Sequence, residues 1–140
     1  MEPKKGFFSL VQYCPDYSRM EAANIGIILC VPDAEFIKAR MSTSNDRVRQ
    51  FFGPGSVDPE WLSAVKESLE ERIEVMKASL VSIEDFNRFI ETRANRLLLT
   101  TPRAVKVKDP DQDLNSLFLE LVDHRRNSKR KWNAKPIRSR

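Results

Sequence analysis

Four polar side chains stand close together near the start of the chain: Tyr13, Arg19, Glu21 and Asn24. An arginine offers a planar, forked set of N–H donors that suits carboxylate and phosphate groups. An amide and a phenol beside it add further hydrogen-bond donors and acceptors. The group therefore has the chemistry of a recognition site for a small anion or for a polypeptide backbone.

The same residues also have a structural interpretation. At i, i+2 spacing in an extended chain, Arg19 and Glu21 lie on one side and can form an ion pair. Asn24 can hydrogen-bond the neighbouring turn or Tyr13, and such a network would fix the register of a hairpin. Spacing does not decide between these two roles, and both stay open at this point.

Catalysis has few candidate residues. An enzyme acting on a phosphate-bearing ligand, with Arg19 as electrophile and Glu21 as base, is one hypothesis, but it lacks an identifiable nucleophile. Triads built on serine or cysteine need an imidazole, and the one histidine, His124, is expected at the end of the last predicted helix. The glycines do not form a phosphate-binding loop of the P-loop type. We therefore favour a non-catalytic chain and predict no cofactor.

The two cysteines, Cys14 and Cys30, predict no metal site. Two thiols with one histidine do not make a structural zinc site of the usual kind. In a chain that can close its own core they are expected to be free thiols.

Composition is typical of a globular domain: 140 residues with 41% hydrophobic and 31% charged side chains. The longest apolar run, Ile25 to Val31, is seven residues long, and a bilayer-spanning helix needs about 20. The N-terminus lacks the continuous apolar stretch of a signal peptide. We expect a cytoplasmic protein without a membrane partner.

The positive charge is concentrated at the C-terminus. Residues 124–140 hold eight of the 24 Lys and Arg residues and no acid, which leaves residues 1–123 with 16 basic and 20 acidic groups, a balance of −4. We divide the chain into one domain, residues 1–123, and a flexible basic tail, residues 124–140. The tail predicts a second, alternative function, nucleic-acid binding, because its cations can neutralise phosphates and its tryptophan can stack on a base. The residues predicted for that contact are Arg125, Arg126, Lys129, Arg130, Lys131 and Trp132.

Three strands are predicted in the first third of the chain, over residues 7–14, 23–31 and 35–42. Short turn signals separate them, so they form an antiparallel meander. The second strand has branched apolar residues on both parities, which predicts burial on both faces. Gly26 within it indicates a close approach by another part of the chain. One or two further strands are predicted over residues 96–100 and 104–107.

Helices are predicted between and after these strands. A short one follows Ser44 or Asn45 and ends at Gly53. Asp58-Pro59 and Asp109-Pro110 are helix starts, with Asp as N-cap and Pro in the first turn, and Ser82 with Asp85 resembles a capping box.

Several residues of the second helix form its inward stripe: Leu62, Val65, Leu69, Ile73 and Met76. Lys66 is placed on the opposite, exposed face with the glutamates. The fold class is α+β: an antiparallel sheet with three to four helices packed mainly on one face.

The first hairpin resembles a known family. A strand ending in Tyr-x-Pro-Asp, an Arg-x-Glu and then Asn-x-Gly is similar to the opening of a bacterial domain-of-unknown-function family, numbered three thousand and thirty-seven. The matching residues are Tyr13, Pro15, Asp16, Arg19, Glu21, Asn24, Gly26 and Leu29. A softer second signature runs through residues 98–104 and 109–118. Met20 and the two alanines at 22–23 depart from the family pattern.

The resemblance implies a partner protein rather than an enzyme. Members of the family are often encoded beside a kinase-like protein related to the toxin HipA, which makes such a kinase the candidate partner. The leading hypothesis is a binding module centred on Tyr13, Arg19, Glu21 and Asn24.

Overall fold

An antiparallel sheet of five strands is the centre of the described part of the chain. The computed structural model describes residues 2–14, 22–53, 55, 58–79, 82–91 and 97–123. The strands are β1 (Lys4–Tyr13), β2 (Ala23–Val31), β3 (Phe36–Met41), β4 (Leu97–Leu99) and β5 (Arg103–Val107). They are ordered β3-β2-β1-β4, and β5 also pairs with β1. The predicted meander is confirmed as β1, β2 and β3.

The long strand β1 has two partners along one edge. β4 pairs with its last three residues, and β5 pairs with residues 4–8 of β1. Between them the hydroxyl of Ser9 donates to the Thr100 carbonyl at 2.7 Å, and the Leu10 N–H donates to Oγ1 of Thr100 at 2.8 Å. Pro102, which has no N–H to donate, lies between β4 and β5. The two bonds to Thr100 continue the hydrogen bonding along this edge of β1 between the two strands.

Four α-helices are present among the described residues: α1 (Asp46–Phe52), α2 (Pro59–Met76), α3 (Ile83–Glu91) and α4 (Pro110–Leu121). The predicted caps are confirmed, since Asp58 accepts from the Glu60 N–H at 3.0 Å and Asp109 from the Gln112 N–H at 3.3 Å. The Ser82 hydroxyl accepts from the Asp85 N–H at 3.1 Å. In the described ranges no helix combines the length and apolar character needed to cross a membrane.

The sheet is covered by helices on both faces. α1, α2 and α3 pack on one face around Phe86, Ile28 and Leu62. α4 packs on the other face through Leu114 and Phe118, against Ile27 and Leu29 of β2. β2 therefore lies between two cores, which confirms the burial predicted from its sequence. Most of the helical mass is on one face, and the fourth helix closes the opposite one.

Lys66 was predicted on the exposed face of α2, and that placement is wrong. The residue is 5% exposed. Its ammonium donates to the side-chain oxygen of Asn45 at 2.7 Å and to the Ser42 hydroxyl and carbonyl at 2.9 and 3.0 Å. Lys66 lies one turn after Leu62 on the inward face, where the loop between β3 and α1 supplies acceptors that an apolar side chain would leave unpaired.

Met76, at the end of the same predicted stripe, is exposed by 36%. It lies in the last turn of α2, beyond Ile73, the last residue of the helix that is buried in the core. The inward face of α2 is therefore shorter than its apolar pattern predicts.

Candidate functional site

A bulge at the open end of the β1–β2 hairpin determines which side chains meet there. Val11 pairs with Gly26, whereas Gln12 pairs with Asn24, so Ile25 is an extra residue in β2. A bulge shifts the alternation of the strand by one residue. Ile25 accordingly packs in the core beneath α1–α3, while Ile27 packs in the core beneath α4.

Gly26 follows the extra residue, and a side chain at this position would force its neighbours to move. A Cβ atom there would lie 2.2 Å from Sδ of Met41 and 3.1 Å from the Arg40 carbonyl oxygen. The close approach predicted from the sequence is confirmed, and the approaching element is β3.

Tyr13 is part of the hydrophobic core. It is 2% exposed, and its ring meets Phe52 edge-on at a centroid distance of 5.9 Å and Trp61 at 6.1 Å. Aromatic pairs of this geometry stabilise a core beyond their buried area. The ring of Tyr13 thus joins the end of β1 to α1 and α2.

Asn24 has a different set of neighbours. Its carbonyl oxygen accepts from the side-chain amide of Gln12 at 2.8 Å, and its own amide donates to the Leu121 carbonyl at 3.0 Å. Leu121 is the last residue of α4, whose final carbonyls have no partner inside the helix. Asn24 thereby joins the hairpin to the C-terminal end of α4.

Tyr13 and Asn24 leave the sheet on opposite faces, Tyr13 towards α1 and α2 and Asn24 towards α4. The structure therefore does not bring these two predicted site residues into one polar cluster. Arg19 and Glu21 lie outside the described residues, as do the tail residues 124–140 with all six predicted nucleic-acid contacts.

A cleft of about 420 Å³ opens beside the hairpin end. Its lining comes from both strands and from α1: Gln12, Ala22, Ala23, Asn24, Gln50 and Phe51. Phe51 is 58% exposed. Its ring meets the ring of the half-buried Phe52 edge-on, with 4.7 Å between the two centroids. The cleft thus offers an exposed aromatic ring together with amide side chains. Glu21 directly precedes Ala22 in the chain.

Asn24 is the one lining residue that was predicted as a site residue from the sequence. Besides the two alanines, the lining residues that were not predicted are Gln12, Gln50 and Phe51. Gln12 is a long polar side chain within a mostly apolar stretch of β1, which is a signal for a polar contact. Phe51 and Phe52 are adjacent on a short helix, so only one of the two rings can face the core. Both signals can be read from the sequence. That these side chains line one cleft depends on the packing of α1 against β2.

The thiols lie away from solvent. Cys14 and Cys30 form no disulfide, as predicted, and both are buried. Burial raises the pKa of the Cys30 thiol to about 11. The thiolate is the reactive form, so burial disfavours the reactive form of Cys30. Within the described ranges no group of three metal-binding side chains occurs.

Comparison with known proteins identifies a family. No curated protein and no solved structure matches the chain. A family model described as "Protein of unknown function (DUF3037)" matches residues 8–122, which is most of the chain and runs from the middle of β1 to the end of α4. The chain belongs to the DUF3037 family, in agreement with the resemblance seen in its first hairpin.

Proposed function

We propose that this chain is a non-catalytic binding module that engages a second protein at the cleft beside the β1–β2 hairpin. The observation that carries the proposal is Phe51, which is 58% exposed at the rim of a cleft lined by amide side chains. An exposed aromatic ring next to hydrogen-bonding groups is a common anchor in protein interfaces.

The chemistry of the lining favours a polypeptide ligand. The described polar side chains are the amides of Gln12, Asn24 and Gln50, and amides offer both donors and acceptors to a main chain. The Asn24 amide is already held by Gln12 and Leu121. Gln50 and Phe51, both on α1 and both exposed, are therefore the side chains available to an incoming segment.

The same chemistry supports a binding role rather than catalysis. Amide side chains neither give nor take protons near neutral pH, so they do not serve as general acids or bases. The thiol of Cys30 is buried with a raised pKa. Arg19 remains a candidate contact for a carboxylate of the partner.

The first partner to test is a kinase-like protein related to HipA, the candidate implied by the family resemblance. The purified, tagged full-length chain is titrated with that protein by calorimetry. Variants Phe51→Ala, Gln50→Glu and Arg19→Ala are compared with Val75→Ala, an exposed aliphatic change on α2 (Val75 is 82% exposed).

We expect Phe51→Ala to weaken binding about thirtyfold, since truncation of an aromatic anchor costs about 2 kcal/mol, and Val75→Ala to have no effect. Equal affinity of Phe51→Ala and the unmodified chain, with both folded by circular dichroism, would reject the cleft as the site. If neither this kinase nor any protein recovered from the native host binds directly in calorimetry, the partner-module proposal is rejected.

Nucleic-acid binding by the tail is the second candidate function. Eight cations within 17 residues, with Trp132 among them, suit a phosphate backbone and one stacked base. The test compares the full chain with a chain lacking residues 125–140 on single- and double-stranded oligonucleotides across a salt series. Affinity that does not change with truncation, or with salt, would exclude this function.

A further inference from the structure

One end of the sheet carries a cluster of exposed cations, which we call the basic edge. It consists of the side chains of Lys4, Lys5, Arg103, Lys106 and Lys108, on β1, on β5 and directly after β5. Residues 1–123 as a whole have a net charge of −4. The basic edge is therefore a local reversal of charge on an acidic domain.

The cations of the basic edge differ from the others in having few partners. Elsewhere, each described cationic side chain is engaged: Lys38 with Asp111, Arg49 with Asp46, Lys77 with Glu74, Arg88 with Asp85, Arg72 with Phe89, Arg40 with Asn115 and Phe118, and Lys66 with the loop after β3. In the basic edge, Lys5 lies 5.8 Å from the Phe7 ring centroid. The other four side chains make no ion pair or hydrogen bond to the described residues.

Two of these lysines face each other. Lys5 and Lys106 are direct cross-strand partners in the β1–β5 pair, so they project on the same face. Like charges directly opposite in a sheet are destabilising. Negative charges placed beside them on the same face, on a strand added to β5, would offset that repulsion.

The backbone of β5 offers a second means of binding. β5 pairs with β1 along one edge, and no described strand pairs with its other edge. Such an edge presents N–H and C=O groups on which an extended segment can add as a further strand. A shallow cleft of about 600 Å³ lies beside it, bounded by the small or apolar Pro3, Ala104 and Val105 and by three lysines, Lys4, Lys5 and Lys106.

The opposite edge of the sheet provides a contrast. β3 is also an edge strand, and its Lys38 and Arg40 are engaged by Asp111, Asn115 and Phe118 of α4. The charged side chains of an edge strand can thus be paired with other side chains of the same chain. Those of β5 are not.

We propose that the basic edge binds an extended, acidic segment of a partner protein, which adds to β5 as a sixth strand. Acidic side chains at every second position of that segment face Lys5 and Lys106. A free strand edge favours a polypeptide over a nucleic acid, because only a peptide backbone completes the ladder of hydrogen bonds. β1 runs about 23 Å from Lys5 to Gln12 at the usual strand rise, so this surface is separate from the cleft at Phe51.

The probe is a fluorescein-labelled peptide of about eight residues in which Glu and Val alternate, long enough to cover a typical edge strand. Its binding to the full chain is measured by anisotropy across a salt series. Three control probes are used: the same peptide with two central prolines, an alternating Lys and Val peptide, and a single-stranded oligothymidylate. Lys5→Glu and Lys106→Glu are compared with Lys77→Glu, and Lys5→Gln and Lys106→Gln serve where a charge reversal disturbs folding.

We expect the acidic peptide to bind, more weakly as salt increases, and each glutamate substitution in the basic edge to lower affinity about tenfold, or 1.4 kcal/mol. Lys77→Glu should have little effect. Hydrogen exchange should show new protection at alternate β5 amides, because only every second N–H faces the free edge.

Two results would overturn the proposal. If no peptide binds even at low salt, the lysines act only to protect the edge against aggregation. If the proline-containing peptide or the oligothymidylate binds as tightly as the acidic peptide and loses affinity in the same variants, the surface is a general polyanion site without strand addition.

Discussion

The side-chain amide of Asn24 donates a hydrogen bond to the main-chain carbonyl of Leu121 at 3.0 Å, across 97 residues of sequence. This bond joins the first residues of β2 to the last turn of α4. With the bond from Gln12 to the Asn24 side-chain oxygen, it connects the hairpin end to the helix on the sheet face opposite Phe51. Asn24 is thus a structural connection at the rim of the candidate site.

Replacing Asn24 with alanine should lower the free energy of unfolding by about 1–2 kcal/mol. The substitution removes two hydrogen bonds in a half-buried position. The Gln12 amide and the Leu121 carbonyl then lose their partner and must hydrogen-bond to water instead. Urea denaturation measures the loss, and Gln112→Ala on the exposed side of α4 is the matched control. Unchanged stability in Asn24→Ala would contradict the structural role and favour direct contact with a ligand.

Lys66 should make stability depend on alkaline pH. Burial lowers its pKa from 10.5 to about 8, with Glu70 acting in the opposite direction. Between these values the unfolded chain binds more protons than the folded chain, so stability rises with pH through this window and the cost of burying the charge is present below it. The upper limit of the slope is about 1.4 kcal/mol per pH unit.

The measurement is denaturant unfolding of the natural chain and of Lys66→Met at several pH values from neutral to alkaline. Other groups titrate in both chains, so the difference between the two curves isolates Lys66. We expect the natural chain to gain stability relative to Lys66→Met as pH rises. A difference that stays constant with pH would show that the Lys66 pKa is not lowered by folding.

Gly26→Ala should destabilise the domain by about 1–3 kcal/mol, the usual cost of overpacking a core. The new methyl group would overlap Sδ of Met41, and the Arg40 carbonyl limits its movement. Because the two sites touch, Gly26→Ala combined with Met41→Ala should cost less than the sum of the single changes. Gly55→Ala, with nothing within 4 Å of its Cβ position, is the control. Strict additivity in thermal unfolding would argue against this contact.

The two thiols should be inaccessible in the folded chain. Cys14 and Cys30 are 1% and 0% exposed, and the pKa of Cys30 is raised. A thiol reagent such as Ellman's should therefore modify neither cysteine in native buffer and both in denaturant. Rapid modification of one thiol without denaturant would indicate local opening, and mass spectrometry would identify which cysteine had reacted.

Much of the fold was predictable because it depends on local signals. Asp58 and Asp109 cap helices through their own side chains, and the alternation of β3 and the apolar run of β2 predict a meander with a central, doubly buried strand. Lys66 was misplaced for the opposite reason. A lysine within a stripe of glutamates is typical of a solvated face, and only the arrival of the loop after β3 provides acceptors for its ammonium.

The candidate site divides in the same way. By itself, the sequence identified the first hairpin as the distinctive segment, gave Gly26 a packing role and indicated the family, because these depend on residue types at close spacing. Tertiary structure alone decided that Tyr13 and Asn24 lie on opposite faces, that Leu121 accepts from Asn24 and that Phe51 borders a cleft. The one-residue bulge in β2 moves the side chains that precede it in the strand to the other face of the sheet. The partners of Asn24 and Lys66 come from distant segments, which no local pattern specifies.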